Sequence, residues 1–129
     1  MEYFEATGGA QMRFGWEFLQ NFPDWRGEYY ANANLTGPAS VVRNDTDLDF
    51  NWGAGSPAPG LPNDNFSARW TRTLNFEPGI YRFQARADDG VRIFVDDNLV
   101  LDRWQENVGD TVYTADVELE GSHRLRVEY

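Results

Sequence analysis

Asp88-Asp89-Gly90 is the stretch of this sequence best suited to hold a hard metal ion. Two neighbouring carboxylates repel one another, and a cation such as Ca²⁺, which takes six to eight oxygens at about 2.3–2.6 Å, removes that penalty. Residue types alone read first as a solvated turn between two strands, and that plainer reading stays open here. Asp96-Asp97 is a second acidic pair, but it reads as a hairpin tip. Asp45, Asp47 and Asp49 have the alternate spacing of a calcium loop but lack the Gly and terminal Glu that an EF-hand needs. His123 is the single histidine and has no second imidazole, cysteine or obvious Ser partner, so it reads as an ordinary strand residue. The absence of cysteine excludes thiol catalysis, disulfides and thiolate metal sites. A glycosidase needs two carboxylates facing each other about 5–9.5 Å apart across a cleft, a geometry to which adjacent aspartates are poorly suited. The chain is expected not to be an enzyme.

These residues need a scaffold, and 129 residues suffice for one domain with its own core. The net charge of −10, with arginines scattered along the chain, disfavours phosphate backbones and anionic lipid and leaves cations and neutral sugars as suitable partners. No apolar run approaches the ~20 residues of a membrane span. The first residues lack the basic and apolar regions of a signal peptide, so any export signal is expected outside this sequence.

The scaffold is expected to be all-β. Apolar and polar residues alternate through Ala10, Met12, Phe14, Trp16 and Phe18, and through Tyr81, Phe83, Ala85 and Ala87. The same period of two recurs at Val91, Ile93 and Val95, and at Leu125, Val127 and Tyr129. Val95-Asp96-Asp97-Asn98-Leu99 has hairpin-turn chemistry, and Glu77-Pro78-Gly79 and Glu120-Gly121-Ser122 read as further turns. Residues 53–65 carry three prolines and three glycines and must form a long ordered loop. With no amphipathic helix, the expected architecture is an antiparallel sandwich or barrel with long end loops.

The strings Trp25-Arg26-Gly27-Glu28-Tyr29-Tyr30, Asp49-Phe50-Asn51-Trp52-Gly53, Asp64-Asn65-Phe66-Ser67-Ala68-Arg69-Trp70 and Gly79-Ile80-Tyr81-Arg82-Phe83 follow one another, and Asp88-Asp89-Gly90-Val91-Arg92-Ile93-Phe94-Val95-Asp96 completes them. In that order they closely resemble the PA14 domain family, named from anthrax protective antigen and found in flocculins, adhesins and glycosidases. The resemblance covers nearly the whole chain. In that family a Val-Glu-Tyr strand is followed by a Gly-rich loop and a last apolar strand, whereas here Val127-Glu128-Tyr129 ends the chain and the loop and strand of residues 1–18 stand first. The order implies either a circular permutant or a cut from a tandem array, as one domain over 1–129 with a join at 19–24. Docking of that first strand on its own domain gives the expected monomer; docking on a neighbour gives a strand-swapped oligomer.

The resemblance implies a function and a site. Sugar-binding members join the adjacent aspartates by a cis peptide and hold Ca²⁺, which coordinates two vicinal sugar hydroxyls; this implies a cis bond at Asp88-Asp89. The remaining metal ligands are implied in the loop after the Val-Glu-Tyr motif, here Glu5, Thr7 and Gly9, with Glu5 where flocculins place an asparagine. Trp104, which reads first as a core residue, with Gln105 and Asn107 would form the rim against which a sugar ring rests. Trp16, Trp25, Trp52 and Trp70 read as structural. The expected function is an extracellular or cell-surface, calcium-dependent carbohydrate-binding module of the lectin or adhesin kind, with a neutral mono- or oligosaccharide as partner. The alternative is a structural or self-assembling spacer that binds no sugar.

Overall fold

A computed structural model describes residues 21–105 and 111–129; the expected first strand and Gly-rich loop of residues 1–18 lie outside them. Among the described residues every regular element is a strand: β1 (Trp25–Tyr30), β2 (Val41–Asp45), β3 (Ser67–Ala85), β4 (Val91–Val95), β5 (Asn98–Arg103) and β6 (Tyr113–Glu128). They form one antiparallel sheet in the order β2-β1-β3-β6-β4-β5. In β4 the alternation read from Val91, Ile93 and Val95 is realised directly, since those three are buried while Arg92 and Phe94 are half-buried on the other side.

β3 and β6 are long because each serves two layers. The first part of β3 pairs with β1 and with residues 121–128 of β6, of which 125–128 in turn pair with β4. Beyond that, Gly79–Ala85 pairs with Tyr113–Leu119 as a two-stranded ribbon. The ribbon's Phe83, Ala85, Tyr113 and Ala115 pack on Val91, Ile93 and Leu101 of β4 and β5, which gives the sheet the second layer of a sandwich. Glu77-Pro78-Gly79 and Glu120-Gly121-Ser122, expected as chain-reversing turns, instead lie inside β3 and β6. The register breaks between Phe76 and Gly79, and Phe76 faces Gly121, whose φ is +80°. Turn-type residues on both strands thus make one shared bend: Pro78 cannot donate to the ladder and Gly121 accepts the left-handed conformation. Long-range pairing overrode the local turn signal.

The connection from β2 to β3 is the expected long loop, and it covers the inner face of the sheet. Leu61 is buried within it, and Leu48, Phe50, Trp52 and Ala58 pack with it against Tyr29, Ala68 and Trp70. Phe50 lies between Trp52 and Trp70 in near-parallel stacks, with ring centroids 5.0 and 5.6 Å apart. Beneath the loop, Asp45 is only 7% exposed. It accepts hydrogen bonds from the Tyr29 hydroxyl (2.5 Å), the Trp70 indole N–H (2.8 Å) and Arg43 Nε (2.8 Å). Burial, and then the hydrogen bond to Asp45, push the Tyr29 phenol well above its ordinary pKa. Gly27 is required here, since a Cβ at that position would run into the Asp45 carboxylate and the Tyr29 and Trp70 rings.

Candidate functional site

Asp88, Asp89 and Gly90 connect the ribbon to β4, so the acidic pair sits where the chain crosses from one layer of the sandwich to the other. Both aspartates are exposed. No cis peptide occurs among the described residues, and the Asp88–Asp89 bond is trans, which corrects the cis bond implied by the resemblance. The chain reverses here by another device: Asp89 takes a left-handed φ of +78°, a conformation aspartate tolerates better than most residues.

Two contacts position this turn. The Tyr129 hydroxyl, just beyond the end of β6, donates a 2.8 Å hydrogen bond to the Asp88 carbonyl. Burial, followed by the negative charges of Asp89 and Asp88, raises the Tyr129 pKa, which reports the anionic field over the turn. On the other side, the backbone of Trp104 and Gln105 rests directly on Gly90; a Cβ there would stand 3.1 Å from Trp104 Cα and 3.2 Å from Gln105 N. Glycine allows that close approach, whereas any side chain would press the Trp104–Gln105 backbone aside by a few tenths of an ångström.

The structure therefore brings together Asp88, Asp89, Trp104 and Gln105 of the expected site. Asn107, Glu5, Thr7 and Gly9 lie outside the described residues. Trp104 is half-buried with Arg92 over one ring face, the guanidinium carbon 4.0 Å from the centroid, and its backbone N–H donates to Asp102 Oδ1 (3.1 Å). One face of the indole is thus occupied by the protein itself. Tyr129 and the packing of Gly90 escaped the sequence reading. The only signal for the second was a glycine directly after the acidic pair, and nothing local marked the first.

The other acidic candidates have structural duties. Asp96 and Asp97 form the two-residue turn between β4 and β5, with φ of +49° and +65°, the two positive values of a type I′ hairpin. Asp96 accepts from His123 Nδ1 (2.5 Å) and from the Arg124 N–H (2.9 Å), while Asp97 is paired with Arg126 (2.6 Å). Asp45 is buried in the core network, and Asp47 and Asp49 are exposed in the loop after it. Among the described residues, no three His, Cys, Asp or Glu side chains group as a metal site by themselves.

A long antiparallel sheet doubled back on itself, with an acidic turn on the crossing between its layers, defines a small β module. A model of the PA14 domain matches residues 26–129, and the chain belongs to that family. It is 36% identical over 109 residues to anti-sigma-I factor RsgI3 of Acetivibrio thermocellus, a match spanning 81% of this chain and 16% of that protein. A solved anti-sigma factor domain-containing protein superposes with a TM-score of 0.75 at 35% identity, covering 82% of this chain and 37% of the other. The PA14 sugar-binding domain from an RTX adhesin superposes with a TM-score of 0.69 at 20% identity over 84% of this chain and 82% of its own, a likeness of fold. This chain thus spans well under half of the anti-sigma proteins it matches.

Proposed function

We propose that this module recognises a neutral saccharide at the Asp88-Asp89 turn with the help of Ca²⁺. The observation that supports the reading is the contact of Gly90 with the Trp104–Gln105 backbone, which brings residues 104 and 105 next to the turn that carries two exposed carboxylates. The donor set suits a hard cation: both are carboxylates, and among the described residues neither has an arginine or histidine at ion-pair distance. When bound, Ca²⁺ neutralises the two charges and offers coordination positions to vicinal hydroxyls. Asp88 and Asp89 hold the ion from a trans-linked turn, Tyr129 fixes the turn, and Glu5, Thr7 and Gly9 are the proposed further ligands. Gln105 and Asn107 donate to or accept from sugar hydroxyls, and the indole face of Trp104 opposite Arg92 supports the ring.

Membership of a family with sugar-binding domains supports a binding role and not catalysis. The likeness to anti-sigma proteins supports a setting in which an extracellular module supplies the input to a regulator. Calorimetric titration with Ca²⁺, and then with a panel of neutral mono- and oligosaccharides with and without EDTA, tests the reading. Weak, chelator-sensitive sugar binding that disappears in Asp89→Asn is expected; binding indifferent to EDTA, or none across the panel, overturns it.

A further inference from the structure

A second cluster of arginines lies near the start of β1. β3 runs on past the start of β1, and beside its residues 71–74 a cleft of about 430 Å³ opens, within the range of about 300–1,000 Å³ typical of small-molecule sites. Arg26, Arg72 and Arg124 line it, along with Thr71, Thr73 and Asp24. Several arginines elsewhere are held closely by a carboxylate: Arg43 by Asp45 at 2.8 Å, Arg69 and Arg92 by Glu128 at 2.9 Å, Arg82 by Asp116 at 2.7 Å. In the cleft the pairing is looser. Arg26 comes no closer than 3.8 Å to Glu28, Arg124 reaches Asp97 only at 3.4 Å, and Arg72 makes no ion pair among the described residues. Three guanidinium groups against the one carboxylate of Asp24 leave this cleft locally positive in a protein with net charge −10. Screening over about 8 Å at physiological ionic strength keeps the distant negative charge from cancelling it.

We propose that this cleft binds a carboxylated sugar, a uronate unit of an acidic oligosaccharide, independently of calcium and of the Asp88-Asp89 turn. The arginines provide forked donors that match a carboxylate. The rest of the lining fits a sugar better than a bare anion. Asp24 opposes a doubly charged phosphate more than the single charge of a uronate, and its carboxylate accepts from hydroxyl groups as it already does from Asn44 Nδ2 at 3.0 Å. Thr71 and Thr73 offer hydroxyls of either sense, and the Phe22 ring, held beside Arg26 at 5.4 Å, offers an apolar face to ring C–H groups.

The test titrates the protein in EDTA with trigalacturonate, with a neutral galactose trisaccharide and with inorganic phosphate, followed by calorimetry and amide chemical shifts. Trigalacturonate is expected to bind at least tenfold more tightly than either of the others, with shifts at residues 71–74 and weakening in high salt. Arg72→Gln and Arg124→Gln should each lose most of that affinity with an unchanged circular dichroism spectrum, while Arg82→Gln, outside the cleft, keeps it. Equal binding of the neutral trisaccharide, equal binding of phosphate, shifts confined to residues 88–90, no binding at all, or equal loss in Arg82→Gln each overturn the proposal. Because calcium is absent throughout, failure here leaves the calcium-dependent reading standing, and the converse holds as well.

Discussion

Tyr129 Oη donates a 2.8 Å hydrogen bond to the carbonyl of Asp88, tying the last residue of the sequence to the acidic turn 41 residues earlier. The bond fixes one side of the turn while Gly90, packed under Trp104, fixes the other. A loop that must present two like charges side by side needs such restraint, since repulsion otherwise spreads them.

Removing that hydroxyl in Tyr129→Phe should therefore loosen the turn without emptying the core. A net loss of about 1 kcal/mol for one hydrogen bond corresponds to roughly fivefold weaker calcium binding. Burial, and after it the charges of Asp89 and Asp88, raise the Tyr129 pKa, so saturating Ca²⁺ should remove the part due to the charges and lower it while the effect of burial stays. Ultraviolet titration of the wild type against Tyr129→Phe reads this shift; an unmoved tyrosine transition would separate the ion from the turn.

Gly90→Ala presses a methyl group onto backbone atoms of residues 104 and 105, which cannot swing aside as a side chain can. A cost of about 1–3 kcal/mol is expected from overpacking, together with several-fold weaker saccharide binding as the rim shifts. Thermal denaturation and calorimetry measure the two effects, and an unchanged Tm would show that the contact is slack.

Asp45→Ala should be the most damaging of the single changes considered. It leaves the Tyr29 hydroxyl and Trp70 N–H short of an acceptor in the core and strips Arg43 of its partner. Breaking a buried charged pair costs about 3–5 kcal/mol, and urea denaturation should find a loss in that range. A loss below about 1 kcal/mol would mean that water replaces the carboxylate.

The β4–β5 hairpin tip should respond to pH. His123 directs Nδ1 to Asp96 and Nε2 to the Glu120 carbonyl, two acceptors that suit a doubly protonated ring, and its pKa is raised, chiefly by the Asp96 hydrogen bond. A raised folded-state value means that this contribution is complete below the ordinary histidine pKa of about 6.5 and fades as pH climbs through the raised one. Asp96 is depressed by the same bond, so its share is present above the ordinary aspartate range and fades as pH falls through the lowered value. Asp96→Asn should return His123 to near its ordinary titration, as followed by the imidazole proton resonances. A wild-type histidine already titrating near 6.5 contradicts the pairing.

Much of this was legible beforehand because strand alternation and turn chemistry are local. The Val91, Ile93, Val95 face, the inward set Tyr81, Phe83 and Ala85, and the Asp96-Asp97 hairpin all stand where the residue types put them. Glu77-Pro78-Gly79 and Glu120-Gly121-Ser122 were misread for the same reason: a turn motif and a bend in a paired strand use the same residues, and only the partner strand distinguishes them. At the site, adjacency made the Asp88-Asp89 pair visible. The Tyr129 clamp and the seat of Trp104 on Gly90 depend on contacts across 41 and 14 residues of sequence, whereas the trans peptide is the ordinary backbone default in place of the cis bond the resemblance implied.

By itself, then, the sequence determined an all-β domain, the faces of its strands and an acidic turn, because period, charge and backbone preference are carried by neighbouring residues. Only the tertiary structure decided that one bend folds β3 and β6 into both layers, that Asp45 is a buried acceptor and Asp88 an exposed one, and that three arginines share a cleft. Those outcomes depend on which distant groups the folded chain brings within hydrogen-bonding or van der Waals reach.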